Sequence, residues 1–385
     1  MRKIHLLALS SLLLAAPATA QQSWDTEFGI QGGFSRFKLT GSPFGSSTID
    51  VYSIPSSMII SVYPTTNAAF AIFPVGEKIA IEPGLSFLQQ AGVGPGPVAN
   101  LATLSLRADY AVTRQFYGAL GLFGRYASGA GTLPAGYPQL QLGLEAAAGY
   151  RLHLGPRLNG RVEVQAVTVK KQGVAAPFNV YSVLFGLSTP LSERPAAAGR
   201  RGAAPAAPHG AWTLELGVSA GYTSVHLVGG PDVTMFSFPG AGSSSYAGLV
   251  TAPSAPSLFA IFPLNERLAA EVGVDAQNLR ASTSTVASFQ LAPRVDLAFG
   301  NRWYGALGPQ FHFVKNTSNG TAITGVTGIA AAWGYRFHLS GALSGRVEAS
   351  YGINAKRRHG SPLGGGAEPP TSAFGVNLGM MMPLK

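Results

Sequence analysis

The chain contains no cysteine among its 385 residues. That absence excludes a disulfide framework, thiolate metal sites and a lipid-bearing cysteine behind an export signal. Charge is scarce as well, with Asp, Glu, Lys and Arg making up 11% of the chain. The formal net charge of +10 is scattered, without the dense basic clusters of polyanion-binding proteins, so nucleic acid is not an expected partner. Long apolar runs are missing too. No segment after the N-terminus offers the roughly 18 or more consecutive apolar residues that a membrane-spanning helix needs.

What is present starts with Arg2 and Lys3, an apolar stretch from Leu6 to Ala15, and Ala18-Thr19-Ala20 ahead of Gln21. Basic, apolar and small-residue regions in that order predict a secretory signal peptide over residues 1–20, cleaved after Ala20. The remaining chain has 49 Gly and 46% hydrophobic residues in the full count, with positive mean hydropathy. A soluble protein would have to bury most of that apolar surface in a large core. A transmembrane β-barrel turns it outward to hydrocarbon instead.

The chain repeats itself. Phe70-Ala71-Ile72-Phe73-Pro74 recurs as Phe259-Ala260-Ile261-Phe262-Pro263, and Tyr117-Gly118-Ala119-Leu120 as Tyr304-Gly305-Ala306-Leu307. Gly149-Tyr150-Arg151-Leu152-His153-Leu154 matches Gly334-Tyr335-Arg336-Phe337-His338-Leu339, and Gly160-Arg161-Val162-Glu163 matches Gly345-Arg346-Val347-Glu348. The copies end in Thr189-Pro190-Leu191 and Met382-Pro383-Leu384. An internal duplication of this period makes each copy one structural unit. The reading divides the mature chain into a first barrel over 21–191, an Ala/Pro-rich linker over 192–210, expected to be periplasmic, and a second barrel over 211–385.

Each copy holds about eight segments of alternating polarity, roughly 9 to 12 residues long, the length of a tilted bilayer-crossing strand. They start near Trp24, Ala68, Lys78, Asn100, Gln115, Gln139, Leu158 and Val180, and again near Trp212, Ser257, Arg267, Ser288, Arg302, Gly325, Leu343 and Ala373. Thr103, Ser105, Arg107 and Asp109 alternate with Ala102, Leu104, Leu106, Ala108 and Tyr110. Ser344, Arg346, Glu348, Ser350 and Asn354 likewise share one face, opposite Leu343, Val347, Ala349, Tyr351 and Ile353. Period-two alternation places one polar and one apolar surface on each strand.

Short connections such as Gly76-Glu77 and Asn265-Glu266 alternate with long Ser-, Gly- and Pro-rich ones. Short periplasmic turns and long external loops fit that pattern, which puts the termini and linker on the periplasmic side. Trp24, Tyr110, Phe116, Tyr150, Trp212, Trp303 and Tyr335 are then expected in an aromatic girdle at the periplasmic strand ends. The outer stretches Thr40 to Asn67, Ser224 to Pro256 and Ala355 to Thr371 are expected to be loops and the place where a partner is met.

On these features the chain resembles the eight-stranded outer-membrane β-barrel family, with OmpA- and OmpX-like members, present as two tandem copies. The resemblance rests on the turn pattern, on Gly149 to Arg151 and Gly334 to Arg336, on the Arg-Val-Glu strands, and on terminal strands such as Phe374 to Gly379. It implies an all-β, antiparallel up-and-down fold, a bacterial outer-membrane location, and lipid, lipopolysaccharide and the barrel assembly machinery as partners. Many members end their last strand on an aromatic residue; this chain ends Pro383-Leu384-Lys385. Two architectures fit: two closed eight-stranded barrels, or one sixteen-stranded barrel around a water channel. The linker and the repeated lumen charges favour two.

Those charges are Glu27, Glu82, Arg107, Asp109, Arg151, Arg161 and Glu163, with equivalents Glu215, Glu271, Arg294, Asp296, Arg336, Arg346 and Glu348. A small barrel is just wide enough to be filled by side chains, and buried charges must pair, so a structural lumen network is expected rather than an ion path or a hydrolytic site. His153 and His338 end their strands, His226 and His359 lie in outer segments, and His312 faces inward, but none stands in a nucleophile-base-carboxylate or metal-ligand pattern. No catalytic residue, metal or cofactor is therefore assigned. Gly118, Gly121, Gly124, Gly143 and Gly149 fall within strands with no helix following, which rejects a phosphate-cradling loop. Lys170-Lys171 and Lys356-Arg357-Arg358 sit at equivalent outer strand ends, where they could contact lipopolysaccharide phosphates or remain solvated. The expected function is structural, adhesive or scaffold-like through external loops. Porin-like diffusion of small solutes is the alternative, and a rim-located lipid or peptide hydrolase a third reading.

Overall fold

A computed structural model describes residues 24–384, apart from 43–44, 55–68, 92–98, 129–137, 156–157, 174, 176, 192–211, 228–232, 239–244, 247–249, 252–255, 257, 281–284, 301, 317–321, 341–342 and 355–370. The signal peptide, the linker and Lys356-Arg357-Arg358 lie outside the described residues.

The first copy supplies β1 (Glu27–Ser42), β2 (Gly45–Ile54), β3 (Ala69–Pro74), β4 (Ile79–Ala91), β5 (Ala99–Ala111), β6 (Phe116–Ser128), β7 (Leu140–Gly155), β8 (Leu158–Val169) and β9 (Phe178–Pro190). The second supplies β10 (Glu215–Leu227), β11 (Val233–Phe238), β12 (Ser245–Tyr246), β13 (Val250–Thr251), β14 (Leu258–Pro263), β15 (Leu268–Arg280), β16 (Thr285–Phe299), β17 (Trp303–Asn316), β18 (Ala322–Ser340), β19 (Leu343–Asn354) and β20 (Thr371–Pro383). Among the described residues there is no helix.

The fold is all-β and consists of two closed antiparallel eight-stranded barrels. β1 and β3 to β9 form the first, which closes where β1 meets β9 from Glu27↔Pro190 to Leu39↔Phe178. β10 and β14 to β20 form the second, closed where β10 meets β20 from Glu215↔Pro383 to Leu227↔Thr371. Of the two architectures open to the sequence, the pairing selects two barrels. Closure pairs the strands of each copy with one another around its own barrel on the turn side.

Local chemistry sets the short turns. Thr113 Oγ1 accepts the backbone N–H groups of Gln115 and Phe116 at 3.2 and 3.0 Å. Asn265 Oδ1 accepts those of Arg267 and Leu268, both at 2.8 Å. Each is a side chain standing in for a backbone acceptor in a tight turn.

Alternation sorts the side chains as expected. Leu120 and Leu144 face outward with 70% and 66% of their surface exposed, and Leu106, Leu142, Phe185, Leu307, Trp333 and Leu378 join them in broad exterior bands. Apolar exposure of this extent marks a surface that meets hydrocarbon rather than water. Tyr110, Phe116 and Trp303 are exposed near the short-turn ends, as a girdle requires.

Trp24 and Trp212 are not part of that girdle. Both are buried and pack edge-on against Tyr117 and Tyr304, with ring centroids 5.8 and 5.7 Å apart. They precede the first strand of each barrel, where strand alternation does not yet govern direction, and they plug the lumen floor with Phe70 and Ile72 or Phe259 and Ile261.

Two of the three outer stretches also differ from the expected loops, while Ala355 to Thr371 lies, but for Thr371, outside the described residues. β2 and β11 lie inside Thr40 to Asn67 and Ser224 to Pro256, and each joins the two copies. β2 pairs with β1 on one side and with β15 of the second copy on the other. β11 pairs with β10 and with β4 of the first copy. The exchange is reciprocal and uses one register: Asp50 stands between Arg36 and Arg280, and its equivalent Thr234 stands between Ser224 and Ala91. On the turn side, β3 and β14 instead pair within their own barrels. The barrels are thus separate below and share an outer rim.

The ladder between β16 and β17 is interrupted. Between Leu291↔Phe311 and Val295↔Leu307 of β16 and β17 the pairing lapses, where Pro293 stands across from Pro309. Neither proline has an N–H to donate. The first copy has Leu106↔Leu122 at this place, in an unbroken ladder.

Candidate functional site: two ionic layers

Above each aromatic floor lies a layer of charge centred on one arginine. Arg107 comes from β5, on the face alternate to Leu104 and Leu106, and its side chain is 1% exposed. Its Nη2 lies 2.8 Å from Glu82 Oε1 and 2.6 Å from Glu163 Oε2, its Nε 3.1 Å from Asp109 Oδ1, and its Nη1 3.2 Å from Glu145 Oε1. Arg161 Nη1 holds the other oxygen of Glu82 at 2.6 Å, and Tyr117 donates its hydroxyl to Glu163 at 2.6 Å. Such a web is what makes buried ions tolerable, because every charge faces an opposite charge or a hydrogen-bond partner.

The second barrel repeats the design. Arg294 Nη2 lies 3.0 Å from Glu271 and 2.6 Å from Glu348 Oε2, and Nε lies 3.2 Å from Asp296 Oδ1. Arg346 pairs with Glu271, and Tyr304 donates to Glu348 at 2.8 Å. Arg161 lies over the Phe70 ring at 3.5 Å and Arg346 over Phe259 at 3.6 Å, each a cation-π contact joining the ionic layer to the floor. Nearer the turns, Arg151 pairs with Glu27 and covers Trp24, while Arg336 Nη2 reaches Glu215 at 2.6 Å and covers Trp212.

Glycine makes the inward reach of these side chains possible. A Cβ on Gly149 would lie 2.3 Å from the Tyr117 ring, and one on Gly334 would lie 2.2 Å from the Tyr304 ring. The bare backbone is the seat on which each tyrosine crosses toward its glutamate.

All fourteen charges singled out from the sequence are paired inside the lumens, ten in the two layers and four in the pairs nearer the turns. Three more lumen charges escaped that reading: Glu145, Arg125 and Asp275. Glu145 bonds Arg107 and accepts from Gln165 Nε2 at 2.8 Å, and Arg125 Nη1 donates to Gln141 at 2.7 Å. The signal for Glu145 was available in β7, where Gln141, Gly143 and Glu145 share one face. His312 is buried in the second lumen, while His153 is exposed at its strand end, with Nδ1 3.1 Å from Asn159 Oδ1. Among the described residues no group of His, Asp and Glu is placed to hold a metal ion.

Beyond the ionic layers the two lumens diverge. The first packs Phe37, Phe123, Val167, Val169, Phe178 and Leu184 around a bonded polar set, Arg125 with Gln141, Ser86 with Thr103 and Ser35 with Ser182. The second holds Asp275, Gln290, Gln310, His312, Asn354 and Asn377.

No protein-family model matches the chain, and no curated protein matches it. Among solved structures it is similar to the CymD monoaromatic hydrocarbon channel, at 11% identity over 97% of this chain and 92% of that one, with a TM-score of 0.28. A Pseudomonas aeruginosa FadL homologue gives 11% identity, coverage of 97% and 94%, and a TM-score of 0.26. OmpT, an outer membrane protein of Vibrio cholerae, gives 8% identity, coverage of 94% and 100%, and a TM-score of 0.25. Likeness at this level leaves function to be argued from the chain's own geometry.

Proposed function

We propose that the protein resides in the outer membrane of a double-membraned bacterium as a closed double barrel with a structural, adhesive or scaffold role, presenting its outer segments to the surroundings. The observation that supports this best is the pair of arginine-centred layers, since side chains that bond across a lumen leave no continuous water column. The exterior apolar bands favour the membrane setting, and the short turns orient the barrels with their outer rim away from the periplasm. In this reading residues 1–20 direct export, and β20 presents the strand that the assembly machinery takes up. Lys170 and Lys171, exposed beyond β8, meet lipopolysaccharide phosphates. No catalytic step is part of the proposal.

Single-channel recording in planar bilayers tests it. A closed anchor gives near silence. Large, regular steps would favour porin-like diffusion, the second reading, which draws on the polar outer half of the second lumen. Turnover of lipid or peptide by the purified protein would replace both with a rim enzyme. For the lysines, Lys170→Ala with Lys171→Ala should weaken stabilisation by lipopolysaccharide by about 1 kcal/mol per charge, and an unchanged response would remove that contact.

A further inference from the structure

The first barrel contains a carboxylate that the second lacks. Glu145 Oε1 accepts from Arg107 Nη1 at 3.2 Å and from Gln165 Nε2 at 2.8 Å. Counting from the shared Gly-Tyr-Arg and Arg-Val-Glu motifs, its place in the second barrel is Ala330, and the places of Gln165 and Val167 are Ser350 and Gly352. The rest of the arginine's surroundings is conserved between the copies, as Glu271, Asp296, Glu348 and Tyr304 show.

Truncation of these neighbours leaves a void. A cavity of about 20 Å³ is lined by Ala330, Ser350 and Gly352 together with Arg294 and the two carboxylates that bond it, Glu271 and Glu348. About 10 to 15 Å³ of this measure holds one water, so there is room for one small group. Exposure of the arginine side chain rises from 1% at Arg107 to 13% at Arg294. Nη1 of Arg294 keeps its bond to Glu348 at 3.0 Å, and Ala330 offers nothing in place of the Glu145 bond. Ser350 Oγ accepts from Asn377 Nδ2 at 3.2 Å, which leaves its own proton to donate elsewhere.

We propose that this cavity is a binding site for a small monocarboxylate of formate to acetate size, whose carboxylate occupies the place of Glu145 and receives hydrogen bonds from Arg294 and Ser350. Around its two arginines the first barrel holds Glu82, Asp109, Glu145 and Glu163, whereas the second holds Glu271, Asp296 and Glu348, one acid fewer. The outer lumen of the second barrel, lined by Gln290, Gln310, His312, Asn354 and Asn377 beside Asp275, is the side from which a small polar ligand enters. Binding here does not depend on whether any solute crosses the barrel.

Titration of the full detergent-folded chain with carbon-13 formate, followed by NMR linewidth at constant ionic strength in chloride, tests the site. Saturable broadening is expected for the wild type, with loss of broadening in Ala330→Glu, which supplies the carboxylate from the wall. Absence of saturable broadening, equal competition by chloride, or broadening that persists in a folded Ala330→Glu would overturn the proposal. Should Ala330→Glu not fold, Glu145→Ala decides. That variant should lower the unfolding temperature and create a second site, so that formate restores the loss, whereas chloride restoring it equally or no restoration at all would sink the idea.

Discussion

Asp50 of the first copy lies in register with Arg280 of the second. The same carboxylate takes a forked pair of bonds from Arg36 of its own barrel, with Nε to Oδ1 at 2.7 Å and Nη2 to Oδ2 at 2.8 Å. Two barrels in one chain need only be two beads on a string, but the exchange of β2 and β11 joins them at the outer rim.

Disulfide trapping tests the exchange, and the absence of native cysteine makes it clean. Directly opposed residues of an antiparallel pair bring their Cα atoms within about 4.5 to 5.5 Å, inside the reach of a disulfide. Asp50→Cys with Arg280→Cys should therefore cross-link, so that cleavage at a protease site engineered into residues 192–210 leaves the halves joined until reduction. Position 91 of β4 is the first copy's equivalent of Arg280. Efficient cross-linking of Asp50→Cys with Ala91→Cys instead would show that β2 stays in its own barrel.

Arg107 is the keystone of the first lumen. Arg107→Ala strands Glu82, Asp109, Glu145 and Glu163 in a buried space and should destabilise the barrel by about 3 to 5 kcal/mol. Asp50→Ala, which breaks an ion pair whose arginine side chain is 48% exposed, should cost about 0 to 1 kcal/mol. Urea unfolding in detergent or lipid measures both. Equal small losses would mean that water already fills the lumen around Arg107.

The opposed prolines of the second barrel invite the reverse experiment. Pro293→Leu with Pro309→Leu installs the residue found at both equivalent places of the first barrel, Leu106 and Leu122, and returns two donors to the ladder. At about 0.5 to 1.5 kcal/mol per hydrogen bond, the double variant should be more stable by about 1 to 3 kcal/mol. Loss of stability would show that the kinked wall is needed for packing around Arg294.

How far the residues announce this structure varies with how local the cause is. Alternation along β5 and β19 is a property of single strands, and it fixed which arginines and glutamates turn inward. Trp24 and Trp212 were assigned to the wrong surface because they stand outside the strands, where parity has no force and an aromatic suits a girdle or a plug equally well. Glu145 was passed over although Gln141 and Gly143 share its face, since one acid among Ala and Gly residues makes a weak pattern. β2 and β11 could not be read at all. Their composition is that of a loop, and their partners lie in the other copy, a pairing that no local window contains.

The central claim is that each barrel wall has one face in hydrocarbon and the other against a lumen blocked by its ionic layer, the first lumen being filled and dry. Spin labels placed one at a time at Thr103, Leu104, Ser105 and Leu106 of β5, with the chain in lipid bilayers, test both halves together. Oxygen, which partitions into lipid, should relax labels at Leu104 and Leu106, while a water-soluble nickel chelate should reach none of the four. Nickel access at Thr103 and Ser105 would reveal an open aqueous channel, and loss of the alternation would contradict the barrel itself.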